Sequence, residues 1–145
     1  MALLSPSDAQ KLRDAFSEMT RSVTLLFFTQ ALECETCPET RQILDELPPL
    51  SDKIAVEEVN FVLEKAKAGQ YGIDRVPAVV ITTGDDPDGD SRIRFLGAPA
   101  GYEFVSLVQA VLLAGGRPSA LTDGQKQKLA AVDKPIVMQV FTTPT

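Results

Sequence analysis

The chain has 145 residues, 44% of them apolar and 23% charged, enough for one domain with a substantial core and unlike a disordered segment. A net charge of −6 with no local cluster of Lys and Arg excludes a nucleic-acid-binding surface. The longest apolar run, around Val23–Phe28, is too short to span a bilayer, and Met1–Leu4 gives way to polar residues without a basic start, so a soluble cytoplasmic protein is expected.

The pattern predicts a helix over Ser5–Met19, capped by Ser7 or Asp8, with Ala9, Leu12, Phe16 and Met19 on one stripe. Val23–Phe28 is a continuous apolar, β-favouring run, the mark of a central strand covered on both faces. Cys34-Glu35-Thr36-Cys37 follows it. Cys37-Pro38 suits a helix start, and Ile43, Leu44 and Leu47 continue an apolar stripe until Pro48-Pro49 stops it. Lys53–Val59 is predicted as a strand and Phe61–Ala68 as a short helix closed near Gly69. Val76-Pro77 opens a further strand running to Ile81, the place where proline's missing N–H does least harm. After the loop Gly84–Ser91, Arg92–Leu96 returns as an antiparallel partner. Tyr102, Phe104, Val105, Val108, Val111 and Leu112 then form the buried side of a helix ending at Gly115-Gly116. The result is an α/β domain of order βαβαββα with a helix in front.

Cys34 and Cys37 are the only cysteines, and His is absent. Two thiols separated by two residues on the first turn of a helix close a disulfide with little backbone movement, and a thiolate there faces the positive helix end. A secreted, stapled domain would carry several spread pairs. Two thiolates supply only half of a tetrahedral metal site, which leaves a metal shared between two chains, or an inert packed pair, as the alternatives to redox chemistry. Asp86-Pro87-Asp88-Gly89-Asp90 superficially has the look of a calcium loop, but the twelfth position from Asp86 is Gly97 rather than the required Glu, so it reads as a solvated hairpin loop.

The element order, with Cys34-x-x-Cys37 after the first strand and Val76-Pro77 about 40 residues on, resembles the thioredoxin and glutaredoxin superfamily. Tyr71-Gly72-Ile73-Asp74-Arg75-Val76-Pro77-Ala78-Val79-Val80-Ile81 looks very like the thioredoxin stretch whose proline is cis and faces the disulfide. Arg92–Leu112, with Gly97-Ala98-Pro99-Ala100-Gly101-Tyr102-Glu103-Phe104, is most similar to the two-unit protein disulfide oxidoreductases. Asp8-Ala9-Gln10-Lys11 recurs as Asp123-Gly124-Gln125-Lys126, and Val23–Thr29 is echoed by Val137–Thr142, an offset of about 113 to 115 residues. A thioredoxin-like domain over 1–117 is therefore expected, followed over 118–145 by the helix and strand of a second unit on which the chain stops. Chance likeness of two helix-strand pairs is the alternative. The strand Ile136–Thr142, lacking a partner, carries a risk of self-association.

The resemblance implies thiol-disulfide exchange with Cys34 attacking and Cys37 resolving, Pro77 in cis holding Val76 for pairing with the substrate backbone, and no bound cofactor beyond the disulfide itself. It implies disulfide-containing client proteins and a thioredoxin-reductase-like electron donor. Glu33 and Glu35 flank Cys34, and their charges should raise its thiolate pKa against the helix-end effect, giving a moderately to strongly reducing couple. The carboxylate usual six positions before the first cysteine is Phe28 here, and the tryptophan usual beside the site is missing. A docking module within a larger protein and a redox-silent scaffold are the competing readings.

Overall fold

In the computed structural model, which describes residues 3–84 and 89–143, the uncharged run Val23–Thr29 forms strand β1 inside a four-stranded sheet. Its partners are β2 (Ile54–Asn60), β3 (Ala78–Thr83) and β4 (Asp90–Leu96), in the order β2-β1-β3-β4. β1 runs parallel to β2, with Val23 opposite Ile54 and Thr29 opposite Asn60, and antiparallel to β3, with Phe28 opposite Ala78. β4 is antiparallel to β3. This pairing puts the end of β1, the end of β2 and the start of β3 at one end of the sheet.

A central strand needs apolar residues on both faces, and β1 has them. Val23, Leu25 and Phe27 enter the larger core with Phe16, Ile43, Leu44, Leu107 and Leu112. Leu26 and Phe28 point the other way, joining Val59, Ala68, Ile73, Ala78 and Val80. Burying each such side chain is worth roughly 1.5–3 kcal/mol.

Helix α1 spans Pro6–Phe16 and is capped by Ser5, whose hydroxyl accepts the Asp8 N–H at 3.1 Å, not by Ser7 or Asp8 as expected. Pro6 is the cause: its preset φ and missing N–H suit the first helical position, which moves the cap to the residue before it. The helix ends before Met19, which is buried from the following loop. Helix α2 spans Cys37–Asp45, and Leu47 leads into a 3-10 turn at Pro48–Leu50.

Helix α3 is Lys65–Gln70, later than the expected Phe61–Ala68. Asn60 diverts the chain first: its Oδ1 accepts the N–H groups of Val62 and Leu63, both at 3.0 Å, and its own N–H donates to Glu64 Oε2 at 2.7 Å. Gly69 accordingly lies inside α3, and Gly72, at φ +66, takes the left-handed position just after it.

Helix α4, Tyr102–Ala114, buries Leu107, Val108, Val111 and Leu112. Tyr102 and Val105, expected on that face, are 82% and 58% exposed. At 100° per residue the stripe through 104, 107, 108, 111 and 112 leaves both off it, and Leu107 is the residue the pattern missed.

Helix α5, Asp123–Ala130, closes a full capping box, with Thr122 Oγ1 accepting the Gln125 N–H and Gln125 Oε1 accepting the Thr122 N–H. Residues 118–143 are exposed throughout. The expected strand Ile136–Thr142 is not formed: among the described residues it pairs with none of the four strands, and Phe141 is 90% exposed. A strand exists only with a partner, and β-favouring composition does not supply one. Asp85–Asp88 of the hairpin loop lie outside the described residues.

Candidate active site

The chain leaves β1 at Thr29, bends through residues 31–33 and reaches Cys34 before any helix begins. Helix α2 starts at Cys37-Pro38, as the sequence suggests, with Thr36 as the cap, whereas Cys34, expected on the first helical turn, lies before the helix. The two are joined as a disulfide, S–S 1.93 Å with Cα atoms 5.5 Å apart. Cys37 is 4% exposed inside the larger core, while Cys34 is half-buried at its edge. The outer sulfur is the more accessible to another thiol.

The first turn of α2 is tied down by Thr40, fully buried, whose N–H and hydroxyl both donate to the Thr36 carbonyl at 2.9 and 2.8 Å. Thr40 was not singled out from sequence, although a Thr four residues after the cap is the spacing for such a back-bond. Arg41, one residue on, stacks its guanidinium over the Phe27 ring at 5.7 Å and pairs with Glu58 at 2.5 Å.

Val76 and Pro77 enter from the other side of the sheet end, because Ala78 is paired with Phe28. The Val76–Pro77 peptide is cis, and the Pro77 carbonyl accepts the Gly97 N–H at 2.9 Å. Val76 packs against the same cluster as Cys34 and Cys37. Beside it, Arg75 donates to both Asp74 oxygens, and that hydrogen-bonded guanidinium lowers the Asp74 carboxyl from its ordinary range. Glu33 and Glu35 are exposed and have no ion-pair partner among the described residues.

Phe28 is fully buried on the sheet face opposite Cys37's cluster, edge-on to Tyr71 at 6.3 Å between ring centroids. The residues clustered with it are apolar or aromatic. Among the described residues no group of three or more His, Cys, Asp or Glu is placed to hold a metal ion, and no helix is long and apolar enough to cross a membrane.

No family model matches this sequence. Similar proteins do. The thioredoxin of Methanocaldococcus jannaschii is 31% identical over 88 residues, 60% of this chain and 93% of that protein. The chain belongs to the thioredoxin family. Among solved structures, a domain of the alkylhydroperoxide reductase AhpF of Enterococcus faecalis, 33% identical, superposes with a TM-score of 0.80 over 90% of this chain and 62% of that one. The protein disulfide oxidoreductase of Aeropyrum pernix shares the fold, with a TM-score of 0.74 over 88% of this chain. An alkyl hydroperoxide reductase polypeptide of Escherichia coli is 33% identical over 95 residues, but the chain spans only 16% of that protein's length. Thioredoxin-family membership and a bonded CxxC pair make thiol-disulfide exchange the chemistry of this site.

Proposed function

We propose that Cys34 is the attacking thiol of a protein disulfide reductase and Cys37 the resolving one. The asymmetry of the pair carries this reading: Cys34 is half-buried at the edge of the core and Cys37, inside it, is 4% exposed. The Cys34 thiolate attacks one sulfur of a client disulfide, forming a mixed disulfide and releasing the other client sulfur as a thiolate. Cys37, deprotonated, then attacks the Cys34 sulfur, and the second client thiol leaves. Two electrons pass to the client, and an external dithiol, such as a thioredoxin-reductase-like donor, returns them. No organic cofactor takes part.

Val76, beside Pro77 at the same sheet end, supplies backbone groups to pair with an extended client segment. Glu33 and Glu35 disfavour the Cys34 thiolate and bias the pair toward reducing work. With Phe28 in place of a buried carboxylate, the Cys37 proton leaves through water or one of those two side chains. Reducing work of this kind, resupplied by such a donor, belongs to the cytoplasm. Turbidimetric reduction of insulin tests the reading: activity lost in Cys34→Ser, and a trapped mixed disulfide in Cys37→Ser, are expected, whereas unchanged turnover in Cys34→Ser would end it.

A second reading has its own support. The likeness to the Enterococcus faecalis domain covers 90% of 145 residues, about 130, which is more than residues 1–117 alone provide. Helix α5 and the unpaired segment Ile136–Thr142 are then the beginning of a second thioredoxin-like unit, and the site works as half of a two-unit relay. Activity that appears only when a second CxxC unit is fused after Thr145 would favour this reading. Sedimentation velocity tests the associated expectation, self-association through Ile136–Thr142, which Phe141→Glu should abolish.

A further inference from the structure

Between the end of β1 and the first cysteine the chain reverses within Gln30-Ala31-Leu32-Glu33, with neither glycine nor proline to ease the turn. Glu33 has φ +56, in the left-handed region that glycine, asparagine and aspartate tolerate and glutamate does not favour. The half-buried Gln30 lies across the same turn. Its Nε2 donates to the Leu32 carbonyl at 2.8 Å and, at 3.5 Å, to the Glu33 carbonyl. The Glu33 carbonyl belongs to the peptide unit that carries the N–H of Cys34, so the amide holds the plane from which Cys34 hangs.

We propose that Gln30 is a positioning residue for Cys34, clasping the left-handed turn at Glu33 so that the Cys34 sulfur stays aimed at Cys37 when the pair is reduced. This rests on the reading of Cys34 and Cys37 as a redox pair. In the oxidised chain the covalent bond holds the turn whether or not the clasp is present. In the dithiol the clasp is what keeps Glu33 from relaxing to an ordinary conformation and carrying Cys34 away. Removing it therefore favours the dithiol over the disulfide and slows resolution of a mixed disulfide.

The full chain is equilibrated in mixtures of reduced and oxidised dithiothreitol, where the reagent's disulfide takes two electrons and two protons from Cys34 and Cys37. Alkylation and mass measurement then read the oxidised fraction. Gln30→Met keeps the length and loses the donor, and should lower the equilibrium constant for disulfide formation about fivefold, the worth of one net hydrogen bond. For a two-electron couple that is a shift of roughly 20 mV toward more oxidising. Gln30→Leu, of similar size, uncharged and without a donor, should shift the same way and serves if the first variant folds poorly. In a Glu33→Asn chain, where the left-handed turn is tolerated, Gln30→Met should change the constant by no more than about twofold.

A merely structural Gln30 would lower the melting temperatures of oxidised and reduced chains equally and leave the potential in place. Both Gln30 variants within twofold of the parent, or an undiminished shift in the Glu33→Asn background, would overturn the proposal. The equilibrium is defined whether or not the chain reduces insulin, so a parent that equilibrates normally but reduces no client would sink the enzymatic reading and leave this one standing.

Discussion

Reducing the Cys34–Cys37 bond should destabilise the fold by about 2 kcal/mol. The cysteines are separated by 3 in sequence, so the bond closes a loop of about four residues. In the chain-entropy treatment such a loop removes about 6 cal/mol/K from the unfolded state, or about 1.9 kcal/mol at 25 °C. The folded state loses little on reduction, because Cys37 remains a small apolar side chain within the larger core. Linkage then requires the folded chain to hold its disulfide about 25-fold more firmly than the unfolded chain does, a potential roughly 40 mV more negative. Urea unfolding of the oxidised protein and of the protein in excess dithiothreitol, followed by far-UV circular dichroism, measures the difference. With slopes of roughly 1–3 kcal/mol/M, the midpoint should fall by about 0.6–2 M on reduction. A reduced form as stable as the oxidised one, or more so, would refute the reasoning. It would mean that the folded site favours the thiolate, the property of an oxidising couple, and the effect assigned to Glu33 and Glu35 would fall with it.

Two glycines three residues apart should respond with opposite signs. Gly69→Ala, inside α3 with open space for the methyl, should raise stability by roughly 0.5–1 kcal/mol, while Gly72→Ala, at φ +66, should lower it by about 1 kcal/mol although nothing would touch the methyl there either. Thermal melts decide, and equal signs would contradict the backbone account. The Arg94 guanidinium bonds both Asp90 oxygens at 2.7 Å and lowers that carboxyl from its ordinary 3.8. A lowered folded pKa stabilises above the unfolded value and is lost as pH falls through the folded one. Asp90→Asn should therefore cost up to about 1 kcal/mol at pH 7, converging with the parent in urea titrations near pH 2, and a constant gap across that range would argue against the pair. Leu44→Ala, in the fully buried seam of α2, should cost roughly 2–5 kcal/mol by urea unfolding, and a loss under 1 kcal/mol would show that α2 is not docked as described.

The legible parts of the site were those written in residue type and spacing. Cys34 and Cys37 stood out by their spacing and Val76-Pro77 by resemblance to the thioredoxin stretch, and the structure packs Cys34, Cys37 and Val76 in one cluster. Thr40 and Gln30 did not stand out, since both act through main-chain carbonyls that any sequence possesses. The misplaced start of α3 has the same origin: the Asn60 side chain competes with the helix for the N–H groups of Val62 and Leu63, and apolar spacing carries no sign of that competition.

By itself the sequence determined the order of elements, the central place of Val23–Thr29 and the redox pair after it, because periodicity, proline and glycine act over a few residues. Tertiary structure alone decided that Phe27 and Phe28 serve different cores, that Cys37 is buried while Cys34 is half-buried, and that among the described residues Ile136–Thr142 stays unpaired. Each of these depends on what lies across space: a β-favouring run becomes a strand only beside another strand, and a cysteine becomes inner or outer only when a helix and a sheet close around it.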